Sequence, residues 1–366
     1  MLEASTERAG IEIRNLYKIF GQSASRYLDS VKGGMSKAEL MERHLHVLGL
    51  KNINLSTPAG GIQVIMGLSG SGKSTLIRHI NRLIEPTAGQ ILVNGIDVVS
   101  LNQKDLQEFR RHQTAMVFQK FALLPHRTVL NNTIYGLEIQ GMPRPRQIEA
   151  GMRWIERVGL KGFENHYPSQ LSGGMQQRVG LARALTNDAP ILLMDEAYSA
   201  LDPLIRMDMQ TVLLDLQKEI KKTIVFITHD LDEALRLGDR IAILRDGEVI
   251  QQGTSQDIVM RPADDYIASF AREVNRGRVL HVEAVMMPLN GAMPRSATTI
   301  AAGASLETAA RLLTQANENE AVVLDDVHRP IGRISLQQIA RAMVTPRAAK
   351  DTGETARGLS EVTLAS

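Results

Sequence analysis

The nine residues Gly67 to Thr75, GLSGSGKST, restrict what this chain can fold into more than any other stretch. They satisfy G-x-x-x-x-G-K-[ST], with Gly67, Gly72, Lys73 and Ser74 at the fixed positions. Glycines at 67, 70 and 72 let the backbone turn tightly and point N–H groups inward at an anion. The candidate phosphate cradle is therefore Gly67, Leu68, Ser69, Gly70, Ser71, Gly72, Lys73, Ser74 and Thr75. Lys73 supplies a compact positive charge, and the Ser74 hydroxyl can ligate Mg²⁺. The flanks agree: residues 62–66 (IQVIM) predict a short buried strand, and Leu76, Ile77, Ile80, Leu83 and Ile84 recur at helical spacing. A strand, a glycine-rich loop and a helix start together present a dipole to phosphate. A glycine-rich turn with an incidental lysine would not need that setting.

At 366 residues the chain has room for one large domain and a smaller one. Its 42 basic and 40 acidic residues nearly cancel, which argues against nucleic acid as a partner. Cysteine is absent, so disulfides and cysteine-ligated metal sites are excluded. The opening MLEASTERAG has no apolar core of a secretory signal, and no apolar run approaches the roughly 18–20 residues of a membrane helix. The polypeptide is expected to be soluble by itself, with any membrane role carried by another chain.

Ahead of the loop, Ile11, Ile13 and Leu16 alternate with polar residues as an exposed-face strand, followed by Phe20, an aromatic that could stack on a purine or enter the core. Residues 22–48 then interrupt the sheet pattern, and Ser36 with Glu39 forms a capping box opening a short helix. Beyond the loop, Gln90–Val93, Asn94-Gly95 and Ile96–Val99 predict a hairpin, and residues 114–118 predict a strand ending at Gln119. A side-chain amide there could reach Mg²⁺ or attacking water, or simply end the strand. Residues 130–160 are expected to be helical on both sides of Met142-Pro143-Arg144-Pro145. Leu171 to Arg178 (LSGGMQQR) opens another helix, whose serine and two glycines make a second anion-seeking helix start. Ile191 to Met194 predicts a buried strand ending in Asp195-Glu196; an acid there is costly unless a cation or hydrogen bonds hold it. Asp195 suits the Mg²⁺ shell and Glu196 suits general-base work on water. Residues 223–228 predict one more strand, ending at His229, which could bond a terminal phosphate or be structural. Residues 241–251 predict a hairpin, and residues 257–270 one closing helix.

Together these motifs resemble the nucleotide-binding subunit of an ATP-binding-cassette (ABC) transporter, in the family's order across about residues 10–275. The resemblance implies an α/β fold: a P-loop NTPase cassette with a RecA-like core, an antiparallel β-subdomain and a helical subdomain at about 120–185. It implies ATP and Mg²⁺ as cofactors and Glu196, His229, Gln119 and Lys73 as catalytic residues. Phe20, the loop 67–75, Gln119, Asp195 and His229 would bind ATP, with Ser74, Gln119 and Asp195 around Mg²⁺. Ser172, Gly173, Gly174, Gln176 and Asp202 would complete the site of a second copy in an ATP-sandwich homodimer. Tyr198 is a departure, because many importer subunits have phenylalanine there.

The insert at 22–48 narrows the resemblance to subunits of quaternary-amine importers, which take up glycine betaine, proline betaine or choline. VIMGLSGSGKST, NRLIEPTAGQ, AMVFQKFALLPHRTVL, LMDEAYSALDPLIR and FITHDLDEALRLGDRIAI support it. The implied partners are an integral membrane permease and a periplasmic or lipid-anchored solute-binding protein, with this subunit peripheral on the cytoplasmic face of the inner membrane. The alternatives are an ABC ATPase for another small solute, or a soluble non-transport ABC ATPase; only one phosphate loop and no sustained heptads occur here. Residues 276–345 look like a single cystathionine-β-synthase (CBS) type module, a repeat that normally works in pairs and in related importers is thought to sense ionic strength. They hold seven arginines, no lysine and six acids, a weak charge excess. The N-terminal residues 1–10 are expected to be flexible and the tail 346–366 disordered.

Overall fold

A computed structural model describes residues 10–119, 121–272, 274–289 and 298–344. The expected flexible N-terminus, save Gly10, and the tail at 346–366 lie outside the described residues. The strands are β1 (Ile11–Phe20), β2 (Val47–Thr57), β3 (Ile62–Met66), β4 (Ala88–Val93), β5 (Ile96–Asp97), β6 (Thr114–Phe118), β7 (Ile191–Asp195), β8 (Thr223–Thr228), β9 (Arg240–Arg245), β10 (Glu248–Gly253), β11 (Met287–Pro288), β12 (Thr299–Ala301), β13 (Glu320–Leu324) and β14 (Pro330–Ser335). The chain divides into two compact units, one through Val274 and one from Asn275.

In the first unit a six-stranded sheet runs β10-β9-β3-β8-β7-β6, parallel throughout except for β10 at the edge. Every residue of β3, β7 and β8 is buried, as continuous apolar strands covered on both faces must be. Register sets the function of this sheet. Phe118 lies beside Asp195, Asp195 beside Ile227, and Thr228 beside Met66. The loops after β3, β6, β7 and β8 therefore leave from one edge, the carboxyl ends, where open α/β sheets gather their ligand groups.

The second sheet, β2-β1-β4-β5, is antiparallel. Its Ile13, Leu16, Leu50 and Ile53 join Ile65, Leu76, Ile77, Leu193, Val225 and Leu244 in one apolar cluster, so both sheets share a core. Between β1 and β2 the helix Lys37–His44 carries the anticipated capping box of Ser36 and Glu39. The insert is anchored by its apolar face: Val31 and Leu40 are fully buried against Tyr17, Ile19 and Leu48. It is also shorter than expected, since β2 already begins at Val47.

Two other boundaries differ from expectation. The strand after Asn94-Gly95 ends at Asp97, because the Asp97 carboxylate accepts the Val99 N–H and turns the chain. The closing helix is two helices, Ser255–Met260 and Asp265–Ala271. Pro262 keeps Arg261 out of the helical region, and the Asp264 side chain caps the second helix.

Between β6 and β7 lie the helices Val129–Thr133, Tyr135–Ile139, Arg144–Arg157 and Gly173–Thr186. Pro143 stands at the N-cap of the third and ends the preceding turn. The second unit has its own sheet, β11-β14-β13-β12, with helices Leu306–Ala316 and Leu336–Met343. Ile300, Leu306, Leu313, Val323, Ile334 and Ile339 are buried there.

Candidate nucleotide site

The loop from Gly67 to Gly72 is shaped by close backbone approaches. A Cβ on Gly67 would lie 2.3 Å from the Leu244 carbonyl oxygen, so no other residue fits. Gly72, at φ 103°, begins the helix Lys73–Ile80 and passes close to the Gly49 carbonyl. The turn between β9 and β10 braces the loop from below, with the Gly247 N–H donating to the Ser71 carbonyl at 3.0 Å.

Lys73 is buried and lies along this loop. Its Nζ donates to the carbonyls of Gly67 (2.8 Å) and Leu68 (3.0 Å) and stands 3.5 Å from Glu196 Oε1. One residue on, Ser74 Oγ donates to Asp195 Oδ1 at 2.7 Å. Arg78 donates to the other oxygen, Oδ2, at 3.0 Å. The buried acid at the tip of β7 is thus held by a hydroxyl and a guanidinium, which answers the cost of placing it there. Sequence reasoning missed Arg78. Its signal was position, four residues after Ser74 and hence on the same helix face.

Glu196 adopts φ 47°, a left-handed conformation costing a glutamate about 1–2 kcal/mol. Its carbonyl accepts from the Ser199 N–H and hydroxyl, which fixes the turn. The twist brings the carboxylate into the cluster: Gln119 Nε2 donates to Oε2 at 3.2 Å, and His229 Nδ1 lies 3.8 Å from the same oxygen. Gln119 also reaches Ser199 Oγ at 3.2 Å. Lys73, Ser74, Gln119, Asp195, Glu196 and His229 therefore converge from four loops at one sheet edge. Gln119 bonds the Glu196 side of the cluster, not the Ser74–Asp195 pair.

The loop after Gln119 is strained and clamped. Phe121 and Ala122 both have φ near +50°, and Arg183 donates to their carbonyls at 3.1 and 2.7 Å. Burial lowers the Arg183 pKa, yet a guanidinium keeps its charge. Arg183 belongs to the helix Gly173–Thr186, whose N-cap is Ser172, so one helix joins the LSGGMQQR stretch to this loop. It escaped sequence reading because nothing local tells a clamp from a surface arginine.

Six residues stand in local arrangements apart from this cluster. Ser172 Oγ caps its own helix by accepting the Met175 N–H. Ser172 and Gly173 are exposed, and a Cβ on the less exposed Gly174 would meet Ile205 at 2.6 Å. Gln176 turns back to the carbonyls of Pro168 and Leu171, and Asp202 caps the helix Pro203–Ile220. Phe20 is 38% exposed at the end of β1, with the Lys18 ammonium 4.9 Å from its ring. Among the described residues no helix is long and apolar enough to cross a membrane.

This chain is similar to known proteins. The ABC transporter family matches residues 50–199. The glycine betaine/proline betaine transport system ATP-binding protein ProV of Escherichia coli (strain K12) is 45% identical over 333 residues, covering 91% of this chain and 82% of that protein. The glycine betaine/carnitine transport ATP-binding protein GbuA of Listeria monocytogenes is 53% identical over 277 residues, covering 76% of this chain and 70% of that protein. Among solved structures, the dimeric post-hydrolysis state of the ATP-binding cassette MJ0796 bound to ADP and Pi aligns with a TM-score of 0.57 at 33% identity, over 67% of this chain and 98% of that one. This chain belongs to the ABC transporter family, as one of its ATP-binding subunits.

Proposed function

We propose that this chain hydrolyses ATP to drive import of a quaternary amine (glycine betaine, proline betaine or choline) through a separate permease. The observation that carries the ATPase is the convergence of Lys73, Glu196, Gln119 and His229 beside the Ser74–Asp195 pair. Ser74 Oγ and Asp195 Oδ1, 2.7 Å apart, offer the hard oxygen donors that Mg²⁺ prefers, so the residues fit that ion. Ser74 and Asp195 would hold it, and the ion would offset negative charge on the phosphates. Lys73 would exchange its bonds to the Gly67 and Leu68 carbonyls for phosphate oxygens. Glu196, oriented by Gln119, would take a proton from the attacking water, and His229 would bond the γ-phosphate. Phe20, with its exposed ring, would stack on adenine.

Ser172, Gly173, Gly174, Gln176 and Asp202 would serve the site of a second copy. Their separation from the cluster supports that reading, as does the dimeric state of the MJ0796 cassette. The clamped loop after Gln119 would meet the permease on the cytoplasmic face of the membrane, and a solute-binding protein would deliver the solute. This subunit would not touch the solute, so the class rests on the names of the relatives. The β-α-β-β-α order of β12 to the helix Leu336–Met343 supports reading the second unit as one CBS-like module.

The test is Glu196→Gln in the full chain. We expect ATP hydrolysis to be lost while ATP converts the chain to a dimer on gel filtration. Wild-type turnover would remove Glu196 from its role, and a monomer with bound ATP would remove the shared site. Uptake of radiolabelled glycine betaine and choline by cells expressing this chain with its permease and binding protein tests the solute class; uptake of neither would point to another solute.

A further inference from the structure

Phe20 rests on a residue that has no side chain. Where β1 pairs with β2, Lys18 lies opposite Leu50 and the next residue, Ile19, lies opposite Leu48, so Gly49 is an extra residue on β2. Such a bulge leaves one residue outside the regular pairing and re-aims the side chains around it. Here the space beside it holds the Phe20 ring. A Cβ on Gly49 would stand 2.6 Å from Phe20 Cε2 and 3.2 Å from Cδ2, inside the contact distance of two carbons. Any side chain at position 49 would therefore displace the ring.

The backbone of Gly49 also meets the phosphate loop. A Cβ on Gly72 would lie 2.8 Å from the Gly49 carbonyl oxygen, and one on Gly247 would lie 2.7 Å from the same atom. Two residues on, the Lys51 N–H donates to the Gly247 carbonyl at 2.8 Å, and the Gly247 N–H donates to the Ser71 carbonyl at 3.0 Å. β2, the turn between β9 and β10, and the loop are thus packed backbone to backbone. One residue touches both the ring proposed to meet the base and the loop proposed to cradle the phosphates.

We propose that Gly49 is a positioning residue for the nucleotide: it holds the Phe20 ring at a fixed distance from the phosphate loop, so that one nucleotide spans both. This rests on the stacking role given above to Phe20 and adds the residue that places the ring. Gly49 acts through Phe20, by leaving room for it. Its backbone lies outside the left-handed region, so alanine suits the chain there and only the ring has to give way.

The experiment uses Gly49→Ala, Phe20→Ala and the double variant in the full chain, each titrated with ATP and, separately, with inorganic tripolyphosphate, which has no base. Gly49→Ala is expected to weaken ATP binding roughly three- to tenfold, part of one base–ring stack, and to leave tripolyphosphate affinity unchanged. In steady-state hydrolysis the loss should fall on KM with kcat unchanged, as for binding shared by ground state and transition state. Adding Gly49→Ala to Phe20→Ala is expected to cost no further ATP affinity, and the double variant should regain any Tm lost by Gly49→Ala, since the crowding is gone. Wild-type ATP affinity in Gly49→Ala overturns the proposal, and so does an equal loss for tripolyphosphate, which would trace the effect to the loop. Should Gly49→Ala fail to fold, the double variant decides: folded, with the ATP affinity of Phe20→Ala, it supports the proposal, and unfolded it overturns it. Failure of the underlying reading is separable, because only that would leave Phe20→Ala with wild-type ATP affinity.

Discussion

Lys73 shows how one side chain can be both structural and chemical. Its ammonium is buried and satisfied by two carbonyls of its own loop, with Glu196 3.5 Å away. Replacing it with alanine removes the positive charge but not the loop's N–H groups. Loss of one charge-assisted contact at about 1.5–3 kcal/mol predicts ATP binding weakened roughly ten- to a hundredfold, measurable by titration calorimetry. Unchanged affinity would leave phosphate binding to the backbone alone. A second residue, His79, makes a pH prediction. Burial first of all lowers its pKa from 6.5 to about 4, and its Nδ1 lies 2.6 Å from the Thr75 carbonyl. The folded chain keeps His79 neutral where the unfolded chain takes up a proton. Its contribution is fully present above about pH 6.5 and is lost as pH falls toward 4, by about 3 kcal/mol in all. Denaturant unfolding at pH 7 and pH 5 should show a smaller loss in His79→Gln than in the wild type; equal losses would contradict it. The types and spacing of Lys73, Ser74 and Asp195 were legible because fixed chemistry demands them. His79 was not, because burial of a helix face is set by sheets distant in sequence.

Arg183 belongs to the scale of elements. Two consecutive non-glycine residues in the left-handed region, Phe121 and Ala122, each cost about 1–2 kcal/mol and persist only where something holds them. The guanidinium of Arg183 spans both carbonyls. Arg183→Ala should release the loop, seen as faster amide hydrogen exchange at residues 121–124 by roughly tenfold or more if one charged hydrogen bond at about 1.5–3 kcal/mol is lost. Arg183→Lys should rescue only part of it, since an ammonium lacks the planar fork. Protection equal to wild type in the alanine variant would mean that packing alone holds the loop. The sequence showed two strong helix starts, but not that the second helix also holds the loop after Gln119. Elements were readable where a local signal marks them, as with the Ser36–Glu39 capping box. They were misread where one residue redirects the chain, as Pro262 does in splitting the closing helix.

For the molecule as a whole, the division after Val274 separates two independent cores. Every member of the cluster joining the two sheets lies between Ile11 and Leu244, and every residue of the candidate nucleotide site lies between Phe20 and His229. The second unit buries its own Leu306, Leu313, Val323 and Ile339. A chain ended after Val274 should therefore fold and hydrolyse ATP with the kcat and KM of the full chain, since no group holding the reacting atoms is removed. The sheet edge that gathers Lys73, Asp195, Glu196 and His229 is fixed by strand register, which truncation leaves untouched. Circular dichroism with steady-state ATPase on the shortened chain checks this. A regulatory second unit would show instead as a changed response of turnover to ionic strength, with the low-salt kcat preserved. Loss of folding, or of ATPase in a folded shortened chain, would mean that residues beyond 274 complete the catalytic unit.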